Sequence, residues 1–152
     1  MEQLIFSLPD FINDNNFPIE YTGRGKDSSP EIAIGNLSDD AETLAVTLED
    51  ISHPIKNFTH WVIWNIPAAG KIEKAIPKGK YLSDIGATQG AAYGMHKYAG
   101  PKPPRGKTHT YRITVYALDC PIDLSANKRK KHFLKKAENH ILQKGCLEYS
   151  FE

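Results

Sequence analysis

The sequence predicts a mainly β protein, an antiparallel β-sandwich with one peripheral helix late in the chain. Three observations carry this. Several short segments alternate apolar and polar residues with period 2. Their connections are rich in turn-forming residues. Helical patterns do not alternate with the strands, so a βαβ arrangement has no support.

The first clear strand is "ETLAVTLED", in which Leu44, Val46, Leu48 and Asp50 share one parity and Thr43, Thr47 and Glu49 the other, as a half-buried strand requires. The next is "THWVIWNIP", with His60, Val62, Trp64 and Ile66 on one face and Trp61, Ile63 and Asn65 on the other. Both faces are largely apolar, which predicts a central strand. A third, "THTYRITVYAL", sets His109, Tyr111, Ile113, Val115 and Ala117 against Thr110, Arg112, Thr114 and Tyr116, and its β-branched and aromatic content suits a sheet. In "SANKRKKHFLKKAENHILQKG" Leu134, Ala137 and Ile141 repeat at helical spacing, which predicts a helix near residues 126–143 with Ser125 as N-cap and Gly145 as stop. "CLEYSFE" reads as a closing strand.

The chain of 152 residues is long enough for a single domain, 1–152, with one sizeable core. At 40% apolar, 24% charged and net charge +1, it suggests neither a polyanion binder nor a disordered chain. The amino terminus carries no signal-peptide pattern and no run of 18 apolar residues occurs, so a cytoplasmic protein without a membrane span is expected. Cys120 and Cys146 have no metal-type spacing and read as reduced thiols. "GRGKDSS" lacks Walker spacing, and no G-x-S-x-G elbow is present. The basic run Lys128, Arg129, Lys130, Lys131, with Lys135 and Lys136, reads as a solvated helix face rather than a nucleic-acid contact. His96, His132 and His140 default to the surface.

Seven of the 11 glycines and four of the 10 prolines fall between Gly70 and Gly106. Ordering so long an irregular stretch costs entropy that packing alone seldom recovers, which points to a functional loop. Polar residues also collect at the ends of the apolar strand faces: Asp50 closes one, His60 opens the next, and His109 with Tyr111 opens the third. If the first two strands pair through "ISHPIKNF", antiparallel geometry brings Asp50 and His60 to one rim. Parity does not say whether His109 joins them. Imidazole donors, a phenol and loop amides suit an oxyanion such as a phosphate monoester, provided the Asp50 charge is spent on a histidine. Two histidines and a carboxylate also form the facial set of non-haem iron, so a metal-dependent or hydrolytic enzyme using the same cluster is the alternative. A third reading leaves each histidine as a satisfied rim residue.

The blocks "SSPEIAIGNL", "LAVTLEDISHP", "FTHWVIWNIP", "YAGPKPPRGKTHTYRITVYALD" and "HILQKG" resemble, in order, the phosphatidylethanolamine-binding protein family, also called the Raf kinase inhibitor protein family, in its short bacterial and archaeal branch. The resemblance spans nearly the whole chain and implies a Greek-key β-sandwich with one or two peripheral helices. The family's D-P-D-x-P motif falls on residues 50–54, with Ile51 and Ser52 replacing a proline and an aspartate. Its His-Trp pair falls on His60 and Trp61, its G-x-x-P-P loop on Gly100 to Pro104, and its H-R-Y motif on His109, Thr110 and Tyr111, where threonine replaces arginine. The resemblance thus implies an anion pocket of Asp50, His60, His109 and Tyr111, floored by Val62 and Trp64 and bordered by Gly100, Lys102, Pro103 and Pro104.

The resemblance further implies a cis His53-Pro54 bond, no cofactor, and a non-enzymatic module for phosphate or a phosphorylethanolamine-like headgroup. It also suggests a phosphorylated side chain of a kinase or protease partner, and a homodimer. Ser52 should make the pocket less acidic and favour anion entry, whereas Thr110 removes an ion-pair partner.

Overall fold

The computed structural model describes residues 1–13 and 15–152. Ten strands and one α-helix make up the described chain: β1 (Glu2–Gln3), β2 (Phe6–Ser7), β3 (Ile32–Ile34), β4 (Thr43–Asp50), β5 (Phe58–Pro67), β6 (Lys71–Ile72), β7 (Tyr81–Leu82), β8 (Ala87–Gln89), β9 (His109–Leu118), α1 (Lys130–Ala137) and β10 (Ile141–Phe151). Seven strands form one sheet in the order β1-β10-β9-β4-β5-β8-β7, and β2-β3-β6 form a second, smaller one. The mainly β class is as the sequence predicts. One pairing departs from strict antiparallelism: β1 runs parallel to β10. The β4–β5 hairpin is local, but β4 receives β9 on its other side only after the long excursion through residues 68–108.

The inner face of the large sheet packs on the small one. Leu44, Val46 and Leu48 of β4 and Tyr111, Ile113, Val115 and Ala117 of β9 meet Phe6, Ile32 and Ile72 there, all essentially out of water. Both alternations therefore point as their sequences predict. On the outer face Ala45, Val62, Trp64, Tyr116 and Leu118 lie beneath α1, whose Phe133 ring stacks on Trp64 at 5.6 Å. Each buried Val, Leu, Ile or Phe side chain among them contributes roughly 1.5–3 kcal/mol. Because α1 covers this face, all eight residues of β4 are buried, rather than half of them.

The helix is shorter than its sequence pattern. It spans Lys130–Ala137 with Arg129 at the N-cap position, its amide hydrogen-bonded to His132 Nδ1 at 3.4 Å. Ser125 instead closes a turn upstream, accepting from the Lys128 and Asn127 amides. Ile141 and Gln143, read above as helix, belong to β10 and pair with Leu118 and Ala117. Gly145 is not a helix stop. It lies mid-strand, where a Cβ would come within 2.1 Å of the Leu4 carbonyl oxygen. The basic run is not uniformly solvated either: Lys130 turns in and pairs with the buried carboxylate of Glu49, pinning the helix to β4.

Two bulges interrupt β5. Leu48 faces Trp61 and Glu49 faces Thr59, leaving His60 as an extra residue; Leu44 faces Ile66 and Val46 faces Ile63, leaving an extra residue near Asn65. Asn65 adopts φ +62° and exchanges two hydrogen bonds with the Ile122 backbone. The first bulge reverses the parity expected from His60, and the second restores it at Ile66. Trp61, Ile63 and Ile66 face the inter-sheet core, and Val62 and Trp64 face α1.

The loop between Gly70 and Gly106 is less irregular than its composition suggests, since β6, β7 and β8 lie within it. Its last part, residues 98–104, is strapped to the turn at residues 19–27. Tyr98 donates its hydroxyl to the Tyr21 carbonyl, the Gly23 amide donates to Pro101 at 2.9 Å, Arg24 donates to the Pro103 carbonyl, and the Gly100 amide donates to Asp27 Oδ1 at 2.7 Å. All described peptide bonds are trans, so the cis His53-Pro54 bond implied by the resemblance is absent.

Candidate functional site

Asp50 ends β4 opposite Tyr111 of β9 and Phe58 of β5, which brings three strands to one rim. His109, left open by parity, joins it: its Nδ1 donates to Asp50 Oδ2 at 2.6 Å. The other carboxylate oxygen accepts the Ser52 amide at 2.9 Å. Ser52 Oγ in turn accepts the Thr110 amide at 2.8 Å, so two of the three positions that depart from the family motifs touch each other. Asp50, 3% exposed, is thus held by an imidazole and an amide rather than left as a bare buried charge.

The His60 bulge turns its ring onto this rim, edge to face with Tyr111 at 5.4 Å and with Tyr93 at 5.0 Å. Nδ1 donates to the Ala99 carbonyl at 2.8 Å, which leaves Nε2 as the uncommitted ring nitrogen. Burial holds the imidazole below its usual value of 6.5; the Ala99 carbonyl and the Asp50 charge oppose that less strongly. The Tyr111 phenol is pushed well up, first by burial and then by the Asp50 charge, with the Lys102 amide acting weakly the other way. His60 Nε2 and the Tyr111 hydroxyl are both buried, and neither meets a partner in good hydrogen-bond geometry, the Lys102 amide acting on the phenol only weakly. Two orphaned polar atoms on adjacent rings are costly, at about 1–3 kcal/mol each.

The loop residues take different parts. Gly100 is buried, and its amide is committed to Asp27; a Cβ there would lie 2.2 Å from the Tyr21 carbonyl oxygen. The backbone of Pro101 and Pro103 is anchored to the 19–27 turn, and Lys102 and Pro104 are exposed. Val62 and Trp64, expected as the pocket floor, lie on the opposite face of the sheet under α1. Phe58, stacked on His53 at 3.9 Å, and Tyr93 wall the site instead. Ala99, Asp27, Phe58 and Tyr93 went unread in the sequence. Asp27 and Tyr93 both adopt positive φ, at 56° and 57°, and no one-dimensional pattern reports it.

The arrangement does not gather a metal's ligand set at the rim. Among the described residues, only Asp119, Cys120 and His140 bring three ligand atoms within 4.8 Å of one another. No helix among them is long and apolar enough to cross a membrane.

Residues 7–152 match the family model for phosphatidylethanolamine-binding protein. A UPF0098 protein from Pyrococcus horikoshii is 36% identical over 155 residues, covering 99% of this chain and 78% of that one. UPF0098 protein YbhB of Escherichia coli is 31% identical over 108 residues, covering 65% and 66%. Among solved structures, a phosphatidylethanolamine-binding protein homolog from Chlamydia trachomatis superposes with a TM-score of 0.83 at 22% identity over 100% of this chain and 99% of that one. E. coli YbcL, described as a new member of the mammalian family, does so with a TM-score of 0.83 at 20% identity over 99% and 98%. The ladder that joins Asp50 to Tyr111 thus sits in a shared fold, and the chain belongs to the phosphatidylethanolamine-binding protein family.

Proposed function

We propose that the rim of Asp50, His60, His109 and Tyr111 is a non-catalytic binding site for a phosphate monoester, free or carried on a larger molecule. One observation carries this reading: the buried, unpartnered His60 Nε2 and Tyr111 hydroxyl stand on neighbouring rings beside a carboxylate already engaged by His109. A phosphate oxygen between them accepts two hydrogen bonds and removes the cost of both orphans. Since His60 Nδ1–H is held by Ala99, donation from Nε2 requires the charged ring, and anion binding is coupled to uptake of one proton. Gly100, Lys102, Pro103 and Pro104 form the bordering wall, with the Lys102 amide as a further donor and Gly100 fitting where no side chain can.

Exposed Ile51, Ile55, Tyr93 and Met95 in the segments bordering the rim support a ligand with an apolar or peptide body attached to the anion. A lipid headgroup or a phosphorylated side chain of a kinase or protease has that form. Titration calorimetry with inorganic phosphate and O-phosphorylethanolamine tests the reading. Saturable binding that His109→Ala weakens is expected; no binding at millimolar ligand, or binding indifferent to His109→Ala, overturns it.

A further inference from the structure

At the opposite end of β9 from the anion rim, about 30 Å away along a ten-residue strand, the β9–β10 ladder continues one step beyond the strands. The Asp119 amide donates to the His140 carbonyl at 3.0 Å, which brings two segments far apart in sequence side by side. Asp119, Cys120 and His140 then hold one carboxylate oxygen, one sulfur and one ring nitrogen within 4.8 Å of each other. His140 Nδ1 already lies 3.0 Å from Asp119 Oδ1. The backbone beneath is fixed as well: the Cys120 carbonyl accepts from Thr43 Oγ1 at 2.9 Å, and the His140 amide donates to Ala137 at the end of α1 at 2.8 Å.

We propose that Asp119, Cys120 and His140 form a site for one zinc ion. Thiolate, imidazole and carboxylate are the donors zinc takes, at about 2.0–2.3 Å, so tetrahedral ligands sit about 3.3–3.6 Å apart. The observed spacing needs only side-chain rotation to reach that. Asp119 and His140 are each a little over two-fifths exposed, which leaves an entry path and room for water as fourth ligand. On binding, the Cys120 thiol proton leaves to solvent, the His140 Nδ1 proton moves to Nε2, and sulfur, nitrogen and oxygen each bond the ion with no change of oxidation state. Calcium and magnesium, which take oxygen donors, are excluded by the thiol and imidazole.

Reduced, chelator-free protein is titrated with zinc by calorimetry and with cobalt(II) by absorption, alongside Cys120→Ser, His140→Gln and Cys146→Ser. One ion per chain is expected, with a thiolate-to-cobalt charge-transfer band and a zinc-dependent rise in Tm. Cys120→Ser removes the band, and either ligand change weakens zinc by on the order of tenfold or more. Cys146→Ser, at the other free thiol, changes nothing. Zinc bound equally well by Cys120→Ser, a cobalt spectrum without the thiolate band, or no binding at micromolar metal overturns the proposal.

Discussion

Replacing Tyr111 by phenylalanine separates the cost of the site from its use. The Tyr111 ring is fully buried and packs against Phe17 at 6.1 Å and His60 at 5.4 Å, and phenylalanine keeps those contacts without opening a cavity. What is lost is a hydroxyl that is buried and unpartnered. Such a group costs about 1–3 kcal/mol, so the ligand-free variant should gain roughly 1–2 kcal/mol in stability. In a chain of this length each kcal/mol moves Tm by about 2–4 °C. The same variant loses one hydrogen bond to a charged phosphate, worth about 1.5–3 kcal/mol, and affinity should fall by roughly 10–100-fold. Thermal unfolding with and without phosphate reads both: the variant starts higher and gains less from ligand. A variant that unfolds earlier than the parent, or binds phosphate equally well, refutes the reasoning.

The remaining predictions concern His60, α1 and the strap. Because burial holds the folded His60 pKa below the unfolded 6.5, the unfolded chain takes up the proton first. Stability of the ligand-free protein therefore falls as pH drops from about 7 through the folded pKa, and His60→Gln flattens that loss in denaturant melts at stepped pH. Ligand affinity runs the opposite way: sulfate, which does not titrate in this range, should bind more tightly as pH falls through the same window, with proton uptake visible as a buffer dependence of the calorimetric heat. Lys130→Ala strands the Glu49 carboxylate under the helix and should cost about 3 kcal/mol, much of it restored by adding Glu49→Gln, as urea unfolding reports. Gly100→Ala drives a methyl into the Tyr21 carbonyl and should cost about 2 kcal/mol or more while loosening the loop, seen as faster amide exchange at residues 98–104 and weaker phosphate binding.

The sandwich was legible because period 2 survives in β4 and β9, whose inward faces are as their alternation shows. The rim was legible for the same reason: Asp50 and Tyr111 end those faces and meet in register. What failed was whatever depended on a partner far along the chain. Ile141 continues the helical spacing of Leu134 and Ala137, yet its place is decided by pairing with Leu118, and long-range pairing outweighs a local period. The resemblance put Val62 and Trp64 on the pocket floor, which needs His60 and Val62 to share a face, whereas a bulge adds one residue at His60 and reverses the side chains from Trp61 to Trp64. Asp119, Cys120 and His140 have no motif spacing because a ladder, not a loop, unites them.

The bulge makes His60 an addition to the sheet, whereas Asp50, His109 and Tyr111 are part of it. Every other residue of β5's central run serves one of two cores, and exchanging it disturbs packing. His60 occupies no place in the alternation, so the strand ladder does not dictate which side chain stands there. Removing that single residue heals the ladder between Leu48–Trp61 and Glu49–Thr59, whereas removing a residue between Trp61 and Trp64 turns the rest of the strand inside out. The chemistry presented at this rim can therefore change by substitution at one position while the ladder stays fixed.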